Sequence, residues 1–164
     1  MKTSINYPVL ILVLLSTLFV IGCKDDEETP KTVEKVYALA AVSNSGVTGN
    51  ITFRKEGANS TRIIIQVNGT QAGNIHPAHI HANSISQGGP IVIDLTSVNG
   101  SNGRSETTVT AFDNGNPVTY EELLNYNGHA NVHLSMENLA TLIAQGNIGS
   151  NATSSPSPSN GGGY

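Results

Sequence analysis

The chain has 164 residues, with one cysteine, no tryptophan, and twelve acidic against eight basic residues, a formal net charge of −4. A single cysteine excludes an intramolecular disulfide, so the fold must stand on its core alone. The absence of a basic patch excludes nucleic acid as a partner.

In chain order, the first element is an export signal. Lys2 supplies a short positive region, and Val9 to Ile21 is an apolar run broken only by Ser16 and Thr17. The run is about 13 residues, where a membrane-spanning helix needs roughly 20, so it has the length of a cleavable signal's core. Its end, Val20-Ile21-Gly22-Cys23, resembles the lipobox of bacterial lipoproteins. That resemblance implies cleavage after residue 22 and lipidation of Cys23, and two or more lipid chains anchor stably in a membrane. Residues 23–35 then form a tether carrying Lys24-Asp25-Asp26-Glu27-Glu28. This run resembles the Lys-acidic-acidic signal that sends some bacterial lipoproteins to the outer face of the outer membrane. The expectation is an outer-membrane lipoprotein displayed at the cell surface, with a periplasm-facing anchor as the alternative. Without residues 1–22, seven basic residues stand against twelve acidic ones.

Residues 36–149 read as one domain, roughly 114 residues and enough for a single core. Eight runs have strand character: 36–43, 46–53, 61–67, 76–82, 90–96, 105–112, 129–135 and 141–148. In the second, Val47, Gly49, Ile51 and Phe53 alternate with Thr48, Asn50, Thr52 and Arg54; in the third, Ile63, Ile65 and Val67 oppose Arg62, Ile64 and Gln66. That period of two belongs to half-buried strands. Turn-forming stretches such as "VNGTQAGN", "SVNGSNG" and "DNGNP" separate the runs. The pattern predicts an all-β, antiparallel Greek-key sandwich or barrel of about eight strands. Two short helices are predicted in connections, each of about two turns. One covers 119–126, where Thr119 and Glu122 have capping-box spacing; the other covers 135–143. Residues 150–164, rich in Ser, Pro, Gly and Asn, read as a disordered tail.

All five histidines fall in two stretches, "HPAHIH" (76–81) and "GHANVH" (128–133). On a strand His79 and His81 project from one face about 6.6 Å apart at about 3.3 Å per residue, a ready-made chelating pair, while Ile80 points into the core. Pro77 is expected at the start of that strand, since proline cannot donate to the ladder, leaving His76 just outside it. On the later strand Ala130, Val132 and Leu134 share one face, and His129, Asn131 and His133 the other. His129 and His133 lie about 13 Å apart along it, too far to ligate one ion together. The candidate metal site is therefore His79, His81 and His133, with His76, His129 or water as a fourth ligand. Imidazoles without thiolate suit copper(II), zinc or nickel, and copper leads on intrinsic affinity. The competing reading makes the histidines structural hydrogen-bonders.

Other chemistries lack their parts. Ser84, Ile85 and Ser86 stand where a cupin would carry its glutamate, no Gly-x-Ser-x-Gly elbow is present, and the histidine stretches lack the acid of His-Glu-x-x-His.

"HPAHIHANSISQGGPIVIDLTSVNG" resembles the central motif of CHRD (chordin-type) domains, a His-x-His followed by a Gly-Pro step and an alternating strand. "YEELLNYNGHANVHLSMENLATLIAQGNIG" resembles the second half of their bacterial version, with its Asn-Val-His strand and Gly-x-Ile-Gly close. CHRD domains in turn look like the Greek-key sandwich of copper/zinc superoxide dismutases. That likeness carries over to His79, His81 and His133 as copper ligands, and Gly89-Pro90 is similar to part of the metal loop. The loop from Ala82 to Pro90 holds no histidine, so the bridging and zinc ligands of those enzymes have no counterpart. The expected function is a surface-anchored binding domain holding a divalent metal, copper ahead of zinc, or an extracellular partner, without turnover. A reduced copper-only dismutase is the one enzymatic alternative, and a metal-free structural or adhesive domain is the third reading.

Overall fold

The computed structural model describes residues 32–152; the signal segment, Cys23, the acidic run and the tail from 153 onward lie outside the described residues. Eight strands alternate with turns: β1 (Glu34–Ala41), β2 (Thr48–Lys55), β3 (Thr61–Asn68), β4 (Ile75–Ala82), β5 (Ile91–Asn99), β6 (Arg104–Val109), β7 (Asn127–His133) and β8 (Leu142–Gly149). Each of the eight predicted runs corresponds to one of these strands, with ends shifted by a few residues.

The alternation that marks the strands also decides which way they face. Ile51, Phe53, Ile63, Ile65 and Val67 are almost wholly buried, and Thr48, Asn50 and Gln66 are exposed. All pairings are antiparallel, in the order β1-β2-β3-β6-β5-β4-β7-β8, and β8 returns to β1 to close a barrel. Strands β4, β5 and β6 form a meander and β7 comes back to lie beside β4, which is a Greek key. Closure is thinnest between β5 and β6, which pair only at Asn99 and Arg104, and there the β5 N–H groups of Asp94 and Thr96 donate to the side chains of Asp113 and Thr107. Inside is a single apolar core that includes Phe53, which Tyr37 meets edge-on at 5.3 Å between ring centres.

The first predicted helix is present as α1 (Tyr120–Asn125). Its capping box forms as the spacing requires: the Thr119 hydroxyl accepts the Glu122 N–H, and the Glu122 carboxylate accepts the Thr119 N–H. Tyr120 and Leu123 turn inward and are buried. The second predicted helix is a correction. Only Met136–Asn138 form a single 3-10 turn, and the Ser135 side chain does not cap it. Leu142 and Ile143, the apolar positions that would have continued a helix, are instead drawn into β8, where Ile143 is buried. Pairing with β7 gives them more burial than a two-turn exposed helix could.

Pro77 is a second correction. It lies inside β4, two residues after the strand begins, and so does His76. The ladder to β5 slips by one residue between His76 and Ala78, and this bulge accommodates a residue with no N–H to donate. The domain limits also extend beyond those expected. β1 begins at Glu34, and Ser150 to Ala152 are fastened down: the Ser150 N–H donates to Tyr126 O, and Asn151 Nδ2 donates to Asn127 Oδ1 and Gly128 O.

Candidate metal centre

The site is built on the outer face of the β4–β7 pair. In register Ala78 faces Val132, His79 faces Asn131, Ile80 faces Ala130 and His81 faces His129. Ala78, Ile80, Ala130 and Val132 are fully buried in the barrel interior. Side chains alternate across a strand, so His79, His81, His129, Asn131 and His133 emerge together on the other side. There the loop 83–90 and the segment after β7 supply partners for several of them, and all but the half-buried His81 are 4–8% exposed.

Two of the three central rings are anchored by carbonyls through Nδ1, and those anchors fix their tautomers. His81 Nδ1 lies 2.9 Å from Gly89 O. A carbonyl oxygen can only accept, so Nδ1 carries the proton and Nε2 a lone pair. The same reasoning holds for His133, whose Nδ1 donates to Leu139 O, again leaving Nε2 unprotonated. His79 differs: its Nε2 sits 3.1 Å from Asp94 Oδ1, an ion-pair contact with a mostly exposed carboxylate, while its ring hydrogen bond runs from Nδ1 to His133 Nε2. Anchoring of the distal ring nitrogen by a carbonyl or carboxylate is the arrangement found around metal-ligating histidines, because it orients the ring and raises the basicity of the free nitrogen.

Three ring nitrogens converge. Donor atoms of His79, His81 and His133 lie within 4.8 Å of one another, and nitrogens around one ion with bonds of about 2.0–2.1 Å sit roughly 3 to 4 Å apart. His79 Nδ1 donates to His133 Nε2 at 3.0 Å in the metal-free chain. A cation entering between them would move that one proton to His79 Nε2, where Asp94 Oδ1 can accept it. Both rings are neutral. Burial, followed by the neighbouring His133, holds the His79 pKa below 6.5 despite the opposing pull of Asp94, and burial likewise lowers that of His133. The lone pair on His81 Nε2 is buried with no hydrogen-bond partner among the described residues. The donor set thus fits a divalent cation.

The two candidate fourth ligands stand apart from this group. His76 is three positions before His79 and therefore on the opposite face of β4; its Nδ1 donates to Leu134 O at 2.8 Å and His133 O at 3.2 Å. It braces the end of β7 from within. His129 donates through Nδ1 to Asn83 O and stacks on the His81 ring, 5.0 Å between centres and 19° between planes. It buttresses a ligand without joining the group.

The loop 83–90, which contains no histidine, supplies carbonyl anchors. Asn83 has a left-handed backbone (φ 65), uncommon outside glycine. It presents its carbonyl to His129 while its side chain donates to Gly88 O. At Gly89, whose carbonyl holds His81, an added Cβ would lie 2.2 Å from Ala82 O, so only glycine lets the loop approach this closely. Asp94 was not picked out from the sequence, and Asn131 was placed on the histidine face without a role. A lone acid within "IVIDLT" is a weak signal, because pairing with His79 depends on a register interrupted twice by bulges. Compared with known proteins, the chain matches no family model and no curated protein.

Proposed function

We propose that the chain is a lipid-anchored, CHRD-like domain that binds one divalent metal ion through His79 Nδ1, His81 Nε2 and His133 Nε2, without turnover. The observation that carries this reading is the convergence of three ring nitrogens within 4.8 Å, with the His81 Nε2 lone pair buried without a partner beside the His79–His133 contact. An all-imidazole donor set places copper(II) ahead of zinc on intrinsic affinity. The Val20-Ile21-Gly22-Cys23 motif and the acidic run after it support a lipid at Cys23 and display at the outer membrane, where an extracellular partner would meet the barrel.

Titration of the metal-free chain with Cu(II) and Zn(II) tests the site. One equivalent of Cu(II) should bind more tightly than Zn(II), and His79→Ala and His81→Ala should each abolish the tight phase. Equal binding by the wild type and both variants would sink the proposal. Suppression of superoxide-driven dye reduction by the copper-loaded chain would replace binding without turnover by the dismutase alternative. For the anchor, Cys23→Ser should move the protein from the membrane to the soluble fraction, and an unchanged distribution would refute lipidation.

A further inference from the structure

Asn131 is the one member of the buried polar face with no stated task. It is 7% exposed, and its side-chain Oδ1 is buried without a hydrogen-bond partner among the described residues. Such orphans are rare, and each calls for an explanation. Its position supplies one. Asn131 is directly opposite His79 in the β4–β7 register, diagonal to His81, and two residues before His133 on its own strand. Directly opposed Cβ atoms lie about 4.5–5.5 Å apart, and diagonal ones remain within reach of long side chains. The three candidate ligand rings therefore rise from positions surrounding Asn131.

Resting on the metal-binding reading above, we infer that Asn131 holds the fourth ligand of the ion, a water or another small molecule bearing O–H or N–H, by accepting its proton at Oδ1. Three histidines leave one position of a four-coordinate ion open. Water bound to a cation is a stronger hydrogen-bond donor than free water, and the orphaned oxygen is an acceptor. The pairing satisfies both groups at once. It also sets a selectivity: ligands that can donate to Asn131 are favoured over purely accepting anions such as azide.

The test uses the full chain loaded with one equivalent of Cu(II), read by pulsed electron paramagnetic resonance in H2O and D2O and by azide titration. Wild type should show strongly coupled exchangeable protons. Asn131→Leu should keep the three-nitrogen pattern, lose those protons, and bind azide about tenfold more tightly, the size of one lost hydrogen bond. Asn131→Asp, which keeps an acceptor oxygen, should retain the protons. Should the leucine variant misfold, Asn131→Ala removes the acceptor without adding bulk and carries the same expectation. Unchanged proton couplings and azide affinity in the variant that lacks the acceptor would overturn the inference. Loss of a coordinating atom, seen as altered copper parameters, would overturn it too, because the amide would then be a ligand itself. Failure of wild type to bind Cu(II) would instead defeat the metal reading, and this inference with it.

Discussion

The two faces of the β4–β7 pair are both buried, yet they are built on opposite principles. The inner face, with Ala78, Ile80, Ala130 and Val132, is apolar and fully enclosed. It is stabilised by removal from water, which needs no direction. The outer face, with His79, His81, His129, Asn131 and His133, buries polar rings, and each must find a partner of the right kind at the right distance. His81, His129 and His133 each have one nitrogen satisfied by a carbonyl, and His79 Nε2 faces the Asp94 carboxylate. What is left over is the informative part: converging nitrogens on His79, His81 and His133, with His81 Nε2 and Asn131 Oδ1 lacking a partner among the described residues. Burial alone does not separate a core from a site. The convergence of ligand atoms does.

Adjacent residues of β4 give the sharpest test of this contrast. Ile80→Ala should cost about 2–5 kcal/mol of stability, as truncation of a fully enclosed side chain does, and leave Cu(II) affinity nearly unchanged. His81→Ala should do the reverse: affinity falls by more than about 100-fold, beyond the 10–100-fold typical of losing an outer partner, with the urea midpoint little altered. If His81→Ala were as destabilising as Ile80→Ala and had no effect on metal, both faces would be core, and the histidines purely structural.

Asp94 tests how far the anchors matter. Asp94→Ala removes the carboxylate beside His79 Nε2, which would accept that nitrogen's proton once a metal holds Nδ1, and Cu(II) affinity should drop about 10–100-fold. The Asp94→Asn variant, which still offers an oxygen, should recover part of the loss. No change in either variant would make the 3.1 Å contact incidental.

The metal-free outer face should also carry a pH signature that the inner face lacks. Burial holds His79, His129 and His133 below the ordinary histidine value of 6.5, so the unfolded chain takes up protons first as pH falls. The stability from burying these rings neutral is complete above about 6.5 and is lost as pH drops through the folded values. The urea midpoint should therefore be lower at pH 5 than at pH 7.5, and replacing His129 by Gln should reduce the difference. A midpoint independent of pH over that range would contradict the assignment of neutral buried rings. The smallest effect lies away from both faces. Thr119→Ala breaks the capping box of α1 and should cost about 1 kcal/mol with no change in metal affinity; any loss of affinity would mean that α1 is coupled to the site.

By itself the sequence determined the eight strands, the cap of α1 and the shared face of His79 and His81. These follow from local rules: side chains alternate along any extended backbone, and Thr119 reaches Glu122 over one turn wherever a helix begins. The spacing of His129 and His133 along one strand likewise limited them to a single ligand between them. Register, by contrast, was settled by packing in three dimensions. The ladder slips between His76 and Ala78, between Ile80 and His81, and between Val132 and His133. Those slips place Pro77 inside a strand, bring Asp94 opposite His79, and set Leu142 in β8 rather than in a helix. They arise where backbone groups and side-chain volumes from distant segments must be satisfied together, and no local pattern encodes that. The separation of His76 and His129 from the cluster, and the place of Asn131 opposite His79, came from the same source.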